Sequence, residues 1–206
     1  VADLRERLKL AYGGIPKNDP TDRAFASLVK SSNIPQALPD ALLEGLEWDS
    51  LNLRFETLSD LHSYSARVAS AVGVMMCLLM EVRDKDVLAR ACDLGAAMQL
   101  TNIARDIGED ARSGRLYIPL KWMAEEKLDP VSFLHDPKPS KKVANLARRL
   151  LAEAERLYIR AEAGLSGLPI SCRPGIFAAR HIYAQIGRHI ASANYDSISS
   201  RAFTTK

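Results

Sequence analysis

The stretch from residue 99 to residue 112 carries amide and carboxylate side chains at helical spacing. Asn102, Asp106 and Asp110 follow one another at four-residue steps. Gln99 stands three residues before the first of them, so on an α-helix all four side chains lie in one stripe. Carboxylates one turn apart repel each other by roughly a few tenths of a kcal/mol unless a positive charge lies between them. The stripe is therefore a candidate site for a hard cation.

Two interpretations of this stripe are open on spacing. Magnesium takes oxygen ligands and is commonly held by one or two carboxylates together with substrate phosphates, which these side chains can supply. The alternative is an ordinary solvated helix face on which Arg105 and Arg112 neutralise the carboxylates, and spacing alone favours it. The oxygens should nevertheless border the packed face of the helix, because an apolar stripe lies about one residue's rotation away. Its members are Ala96, Leu100, Ile103 and Ile107.

The elements that position these side chains are predicted to be helices throughout. Ala, Leu, Arg and Glu dominate, only 6% of the residues are aromatic, and β-branched alternation is scarce. A start signal at residues 57–60 and a stop signal at Gly114 bracket the two longest helices. The predicted helices span residues 2–11, 21–31, 37–46, 57–81, 84–113, 141–165 and 174–198, and residues 119–139 are predicted to form a short helix plus a loop.

Composition argues against several classes of protein. Of the 206 residues, 47% are hydrophobic, which is enough for an ordered core. The net charge is only +3 and its signs are interspersed, so the broad basic stripe of a nucleic-acid binder is missing and no nucleic-acid partner is expected. The three cysteines lie far apart and form neither a disulfide framework nor a zinc motif, which favours a cytoplasmic setting.

Two further features bear on location and extent. The longest apolar run, Val72 to Met80, is about half the roughly 20 residues that a membrane-spanning helix requires. The basic segment at residues 138–149 is most simply a solvated helix start, but a weak attraction to anionic lipid would place the protein peripherally on the inner membrane. The chain begins at Val1 within an amphipathic helical pattern, so we expect that leading helices are missing from it.

The candidate cation stripe belongs to a longer motif. The string from residue 99 to residue 119 resembles the second aspartate-rich signature of the squalene and phytoene synthase family, N-x-x-x-D-x-x-E-D followed by R-x-G-R-x-Y-x-P. The resemblance implies that Asn102, Asp106 and Asp110 hold magnesium, or manganese in its place, on a substrate diphosphate. It further implies that nearby side chains bind the phosphate, namely Gln99, Arg105 and Arg112.

A second stretch, residues 55–73, is similar to the family's Y-C-x-x-V-A-G-x-V-G helix, with Ser65 in place of Cys and Ser70 in place of Gly. Small residues keep one side of this helix thin, which either leaves room for a long slender ligand or allows close packing against a neighbouring helix. The resemblance implies the first. It also implies that Tyr64 lies at the reaction centre, where its ring can stabilise positive charge, and that Arg67 contributes to substrate binding.

A third stretch, residues 172–203, resembles the closing helix of bacterial phytoene synthases within the family. The resemblance implies that Tyr183 faces the cavity as a catalytic side chain. Members of the family often carry two adjacent arginines near this end, and Ser200 replaces the first of them here. Arg201 is therefore the predicted phosphate ligand.

Together these resemblances imply a fold and a domain organisation. The fold expected is all-α, an isoprenoid synthase-type helical bundle around a central apolar cavity, with the first helices missing. Residues 1–206 would form the C-terminal part of a single domain. The family's first aspartate-rich motif would lie upstream, and no Asp pair in residues 1–50 replaces it, since the aspartates there, Asp49 included, are predicted near loops or helix ends.

The activity implied is a prenyl transfer in carotenoid biosynthesis. Two geranylgeranyl diphosphates would condense head to head through prephytoene diphosphate to phytoene, with release of diphosphate and without NADPH. The truncated chain by itself is expected to be inactive. One alternative is a squalene or dehydrosqualene synthase that uses farnesyl diphosphate. Another is a non-catalytic assembly or scaffold member, against which the retained oxygens of Asn102, Asp106 and Asp110 argue.

Overall fold

The computed structural model describes residues 1–203, and over these residues it contains helices and turns but no strand. The ten α-helices of this part of the chain are α1 (Ala2–Tyr12), α2 (Pro20–Ser32), α3 (Ala37–Ser50), α4 (Leu58–Ser65), α5 (Ala71–Leu79), α6 (Lys85–Arg112), α7 (Leu120–Glu125), α8 (Pro130–His135), α9 (Lys141–Glu162) and α10 (Arg173–Ser192). A π-helical turn, Ala66–Ser70, joins α4 to α5, and a 3₁₀ turn, Leu165–Gly167, precedes α10. The predicted all-α class is confirmed.

Side-chain caps explain where several helices begin. Thr57 accepts a hydrogen bond from the Asp60 backbone N–H while the Asp60 carboxylate accepts one from the Thr57 backbone, so α4 opens with a complete capping box. Asp84 accepts from the backbone of residues 86 and 87 at the start of α6, and Ser140 accepts from Val143 at the start of α9. These caps satisfy backbone donors that the first helical turn leaves without partners.

The two helices predicted at 57–81 and 174–198 differ from the observed ones. The first is interrupted because the Ala71 N–H donates to the Ala66 carbonyl five residues back, and this one-residue expansion leaves no mark on an apolar pattern. The second ends at Ser192 because Asn194 and Tyr195 adopt positive φ angles of 55° and 59° and turn the chain. The predicted short helix plus loop at 119–139 proves to be two short helices, α7 and α8.

The longest helix, α6, lies at the centre of the described residues and packs along its length against α9. A buried hydrogen bond of 3.0 Å joins the Tyr158 hydroxyl of α9 to Thr101 Oγ1 of α6, so the polar groups at this contact have partners. The apolar core around it includes Leu100, Ile103 and Ile107 from α6 and Leu146, Leu150 and Leu157 from α9. Within residues 1–203, no helix is both long and apolar enough to span a membrane.

Candidate active site

The oxygen stripe of α6 begins at the wall of an apolar cavity of about 400 Å³. Gln99 and Asn102 both belong to the cavity lining, as does Tyr183 from α10. The Oδ1 atom of Asn102 is buried, and within the described residues it has no hydrogen-bond partner. A buried amide oxygen without a partner is costly, so it marks a position where a ligand or a cation would be stabilised.

Asp106, one turn beyond Asn102, is held by two arginines. Arg105 donates to its two carboxylate oxygens from Nε at 2.8 Å and from Nη2 at 2.6 Å. Arg201 donates from Nε at 2.7 Å and from Nη2 at 3.3 Å. Burial acts to raise the pKa of Asp106, but the hydrogen bonds and charges of these two guanidinium groups outweigh it, so the pKa lies below its usual range.

Arg201 reaches Asp106 because the segment after α10 folds back onto α6. The Gly108 N–H donates to the Ser197 carbonyl at 3.0 Å. A Cβ atom at position 108 would lie 2.8 Å from that oxygen, so only glycine allows the two segments to approach this closely. The Arg112 guanidinium adds a hydrogen bond of 2.6 Å to the Ile198 carbonyl. In this arrangement Arg112 ties down the segment that carries Arg201.

Asp110 has the opposite electrostatic environment. Burial raises its pKa to about 6, and the negative charges of Asp106, Glu109 and Asp49 act in the same direction, while Arg115 opposes them. A carboxyl group in this environment gains from a nearby cation, because a cation would offset both the burial and the repulsion from Asp106.

The residues present fit a magnesium ion. The stripe offers an amide oxygen without a partner and two carboxylates one turn apart, which is the oxygen chemistry that hard cations prefer. Among residues 1–203, no three or more His, Cys, Asp or Glu side chains converge on one point. A cation here would therefore take its other ligands from water and from phosphate oxygens, as magnesium commonly does.

Tyr64 belongs to an aromatic cluster beside the stripe. Its hydroxyl donates to Asp49, and the Tyr117 hydroxyl donates to Asp49 Oδ1 at 2.8 Å. The two tyrosine rings stack with centroids 5.3 Å apart, and the Phe55 ring packs against both, 5.1 Å from Tyr64 and 6.2 Å from Tyr117. Burial raises the pKa of Tyr64 far above its usual value and that of Tyr117 to about 12, so both phenols stay protonated at physiological pH. The cavity lining of the described chain includes Tyr183 but not Tyr64.

The structure places Arg67 away from the stripe. Its Nε donates to Glu44 at 2.7 Å, its Nη1 donates to the Ser63 carbonyl at 2.9 Å, and its guanidinium lies 4.3 Å from the Trp48 ring centroid. The contacts with Glu44 and Trp48 hold α3 against the π-helical turn, and the bond to Ser63 joins that turn to α4. The donors and the ring face of Arg67 are thus used in helix packing, and its expected part in substrate binding stays a prediction.

The helix face with small side chains at residues 66–73 both packs closely against a neighbouring helix and borders an open apolar space. A Cβ atom at Gly95 of α6 would lie 2.7 Å from the Ala69 carbonyl oxygen, so the two helices pack at close range there. Val68, Ala69 and Val72 nevertheless line the cavity. Close packing and an open apolar space lie side by side on the same face.

Sequence reasoning missed three residues of this region. Asp49 was expected only as a helix-end aspartate, because its two phenol partners lie 15 and 68 residues away and no local pattern links them. Tyr117 and Arg115 stand within the quoted motif, and their spacing from Asp110 could have identified them. The motif placed them near the stripe but gave no role to either side chain.

The comparisons with known proteins identify the family of this chain. The model of the squalene/phytoene synthase family matches residues 1–206. The phytoene synthase of Cereibacter sphaeroides is 60% identical over the whole chain, and that of Rhodobacter capsulatus is 57% identical over the whole chain. The chain spans 58% and 61% of the lengths of these relatives.

The solved structures include a dehydrosqualene synthase in complex with a ligand. It is 29% identical, superposes with a TM-score of 0.86, and the match covers 97% of this chain and 71% of that one. A family-model match over residues 1–206 of this chain, with a fold shared at this level, establishes the relationship. The chain belongs to the squalene/phytoene synthase family.

Proposed function

We propose that the full-length protein condenses two geranylgeranyl diphosphates head to head, through prephytoene diphosphate, to phytoene. The observation that carries this proposal is the junction at Asn102, where an oxygen stripe suited to a diphosphate and its cation meets an apolar cavity suited to a prenyl tail. The two relatives that are 60% and 57% identical are both named phytoene synthase, which supports the same reaction.

Magnesium is the proposed cofactor, with manganese as a substitute, and Asn102, Asp106 and Asp110 are its proposed ligands. When bound, the ion supplies positive charge that stabilises a departing diphosphate. Arg105 and Arg201 already converge on Asp106. If Asp106 holds a cation, the guanidinium groups of Arg105 and Arg201 would lie close enough to donate to phosphate oxygens. Gln99, at the cavity wall one turn before Asn102, is proposed to hold the diphosphate end of the substrate.

The chain's own residues would then guide a carbocation. The first C–O bond breaks and the electron pair leaves with diphosphate, which leaves an allylic cation. The double bond of the second substrate attacks it, and loss of a proton closes the cyclopropane of prephytoene diphosphate. The second diphosphate leaves, the skeleton rearranges, and a further proton is lost to give phytoene. No reductant enters this balance, so we propose that NADPH is not used.

Two features would protect these cations. The apolar cavity wall, with Val68, Met76, Leu94 and Met98 among its members, excludes water that would quench a cation. The ring of Tyr183 forms part of this wall, and a neutral phenol ring can stabilise positive charge on carbon through its face. We propose the same role for Tyr64, whose ring Asp49 holds beside the stripe. Attachment to the inner membrane surface stays a prediction from the basic segment at 138–149.

Incubation of the full-length protein with geranylgeranyl diphosphate and magnesium tests the proposal. Release of inorganic diphosphate and formation of a C40 hydrocarbon are expected, and both should stop in excess chelator and in Asp106→Ala. Absence of both products from wild-type protein would contradict the enzyme assignment and favour the scaffold alternative. A C30 hydrocarbon formed from farnesyl diphosphate in preference to the C40 product would favour a dehydrosqualene synthase instead.

A further inference from the structure

The helix α10 turns two neighbouring faces toward the rest of the described chain. Ala179 and Tyr183, four residues apart and so on one face, line the apolar cavity. On the other face Ala184 is buried, and a Cβ atom on Gly187 would lie 3.2 Å from the Cδ2 atom of Leu151 on α9. The direction in which Tyr183 points therefore depends on how α10 is rotated against α9.

The face of α10 toward α9 is smooth except at Arg180. Packed helices are aligned by side-chain ridges that fit into grooves, and alanine and glycine form almost no ridge. Arg180 is buried on this same face, four residues before Ala184 and seven before Gly187. In the described part of the chain, the ion pairs that join α10 to α9 all come from its guanidinium, whose Nη2 atom lies 2.8 Å from Glu162 and 3.9 Å from Glu155.

Arg180 also refers the position of α10 to that of α6 through one buried ring. Its Cζ atom lies 5.4 Å from the ring centroid of Tyr158 on α9. That ring is itself held, because the Tyr158 hydroxyl shares a hydrogen bond of 3.0 Å with Thr101, the residue before Asn102 on α6. Tyr183 packs against the same core in which Tyr158 is buried. Contacts thus run from the start of the oxygen stripe to Arg180, which stands one turn before Tyr183.

The ion pair of Arg180 is poorly suited to a purely stabilising role. The Nε atom has no hydrogen-bond partner within the described residues, and the Glu162 side chain is about half exposed. Taking a guanidinium out of water is costly, and a buried ion pair often gives no net gain in stability over an apolar side chain of similar size. Its planar group with fixed donor directions does, however, hold two helices in one orientation.

We infer that Arg180 is a positioning residue, which fixes the rotation of α10 on α9 and thereby aims the Tyr183 ring into the cavity. The inference rests on the proposed function, in which this ring stabilises positive charge on carbon. Arg201, beyond α10, is placed independently, because hydrogen bonds of Gly108 and Arg112 tie its segment to α6. Loss of Arg180 should therefore act on the chemical step and leave the diphosphate subsite intact.

Arg180→Met in the full-length protein tests the inference, because methionine fills much of the same space without the directed contacts. With geranylgeranyl diphosphate and magnesium, kcat should fall by about 10–100-fold, the cost of a misplaced reacting group, while KM stays close to that of wild type. In a Tyr183→Leu background the same substitution should cause no further fall in kcat. An unchanged kcat in Arg180→Met, or losses that multiply in the double variant, would overturn the inference.

Arg188→Met is the matched control. Arg188 is exposed on the same helix, and its Nε donates to Gln185 within α10, so kcat should stay at the wild-type value. An equal fall in this variant would show that any lost arginine of α10 has the same effect, which contradicts the inference. If Arg180→Met does not fold, Glu162→Ala decides the question, because it removes the 2.8 Å partner from a half-exposed position. It should lower kcat by a smaller factor, and a wild-type kcat would count against the inference.

A measurement without turnover separates this inference from the proposed function. Fluorotyrosine in place of Tyr183 gives a fluorine NMR signal that reports the surroundings of the ring. The signal should shift or broaden in Arg180→Met and stay as in wild type in Arg188→Met. An unchanged signal in folded Arg180→Met overturns the inference. A signal that changes as expected, in a protein whose wild type makes no C40 hydrocarbon, supports the positioning role and contradicts the proposed function alone.

Discussion

Tyr64 donates a hydrogen bond to Asp49, fifteen residues earlier in the chain, at 2.9 Å to Oδ1 and 3.0 Å to Oδ2. Tyr117 donates to the same carboxylate from the segment that follows α6. One half-buried aspartate therefore fixes the orientation of two stacked rings that come from different parts of the chain. Its charge also contributes to the raised pKa of Asp110, so it couples the aromatic cluster to the stripe.

Asp49→Ala is expected to lower the free energy of unfolding by about 1–3 kcal/mol, because the buried phenol of Tyr64 and the half-buried phenol of Tyr117 lose their acceptor. Asp49→Asn keeps one oxygen that can accept a hydrogen bond and should lose less. Urea denaturation of both variants checks this order. Equal stability of Asp49→Ala and wild type would mean that the two hydroxyls find other partners and that Asp49 doesn't hold the rings.

The contrast between Asp49 and Asp106 shows what the sequence could reveal. Asp106 was found because its partners on the stripe, Asn102 and Asp110, are one turn away, and helical periodicity brings such residues together wherever the helix packs. Asp49 acquires its role from a hydrogen bond across helices, which depends on how α3 docks beside α4. Propensity and spacing carry no information about that docking.

The contacts of Arg67 depend on helix docking in the same way. An arginine one turn from Tyr64 can point to a phosphate or to a neighbouring helix, and only the position of Glu44 and Trp48 on α3 decides between them. The contact between Val87 and Gly167 likewise joins residues that are far apart in the sequence. By contrast, the all-α class and most helix starts follow from local composition and caps, and these could be predicted.

Asp110 should make the protein less stable as pH rises when magnesium is removed. Its pKa is about 6 in the folded state, above the value of 3.8 for an exposed aspartate. A carboxyl group with a raised pKa binds more protons when folded, so the stability it contributes is present below the unfolded pKa and is lost as pH rises through the folded pKa. Asp110→Asn should therefore be more stable than wild type at pH 8 in chelator, and the gap should close near pH 4.

Urea titrations at both pH values, with and without magnesium, check this prediction. Magnesium should stabilise wild type at pH 8 and have a much smaller effect on Asp110→Asn, because the variant lacks one proposed ligand. If the variant is no more stable than wild type at pH 8 in chelator, burial and the charge of Asp106 do not destabilise the ionised form of this carboxyl group.

Arg201 and Arg67 should give opposite phenotypes. Arg201→Ala should raise KM for the diphosphate substrate with little loss of stability, because the arginine is half-exposed and an exposed ion pair is worth about 0–1 kcal/mol. Arg67→Ala should leave KM near the wild-type value but lower the free energy of unfolding by about 1 kcal/mol through loss of the Trp48 stacking and the Glu44 pair. Steady-state kinetics and urea denaturation of both variants separate the two roles. A rise in KM for Arg67→Ala alone would return that residue to the substrate site.

Gly95→Ala should destabilise the protein although it adds only one methyl group. The added Cβ atom would lie 2.7 Å from the Ala69 carbonyl oxygen, 2.8 Å from its carbon and 2.9 Å from the Ser70 Cα atom. All three are backbone atoms, so α6 and the π-helical turn must move apart, at a cost of about 1–3 kcal/mol.

Gly175→Ala is the matched control, because among the described residues nothing lies within 4 Å of a Cβ atom at that position. Alanine there should be neutral or stabilising by about 0.4–1 kcal/mol through the unfolded state. Thermal and urea unfolding of both variants measure the difference, and a Gly95→Ala protein as stable as Gly175→Ala would mean that the contact at Ala69 yields without cost. Since Ala69 also lines the apolar cavity, the movement should also weaken binding of an unreactive C20 thiolodiphosphate to the full-length protein, which ties the packing of the π-helical turn to the shape of the cavity.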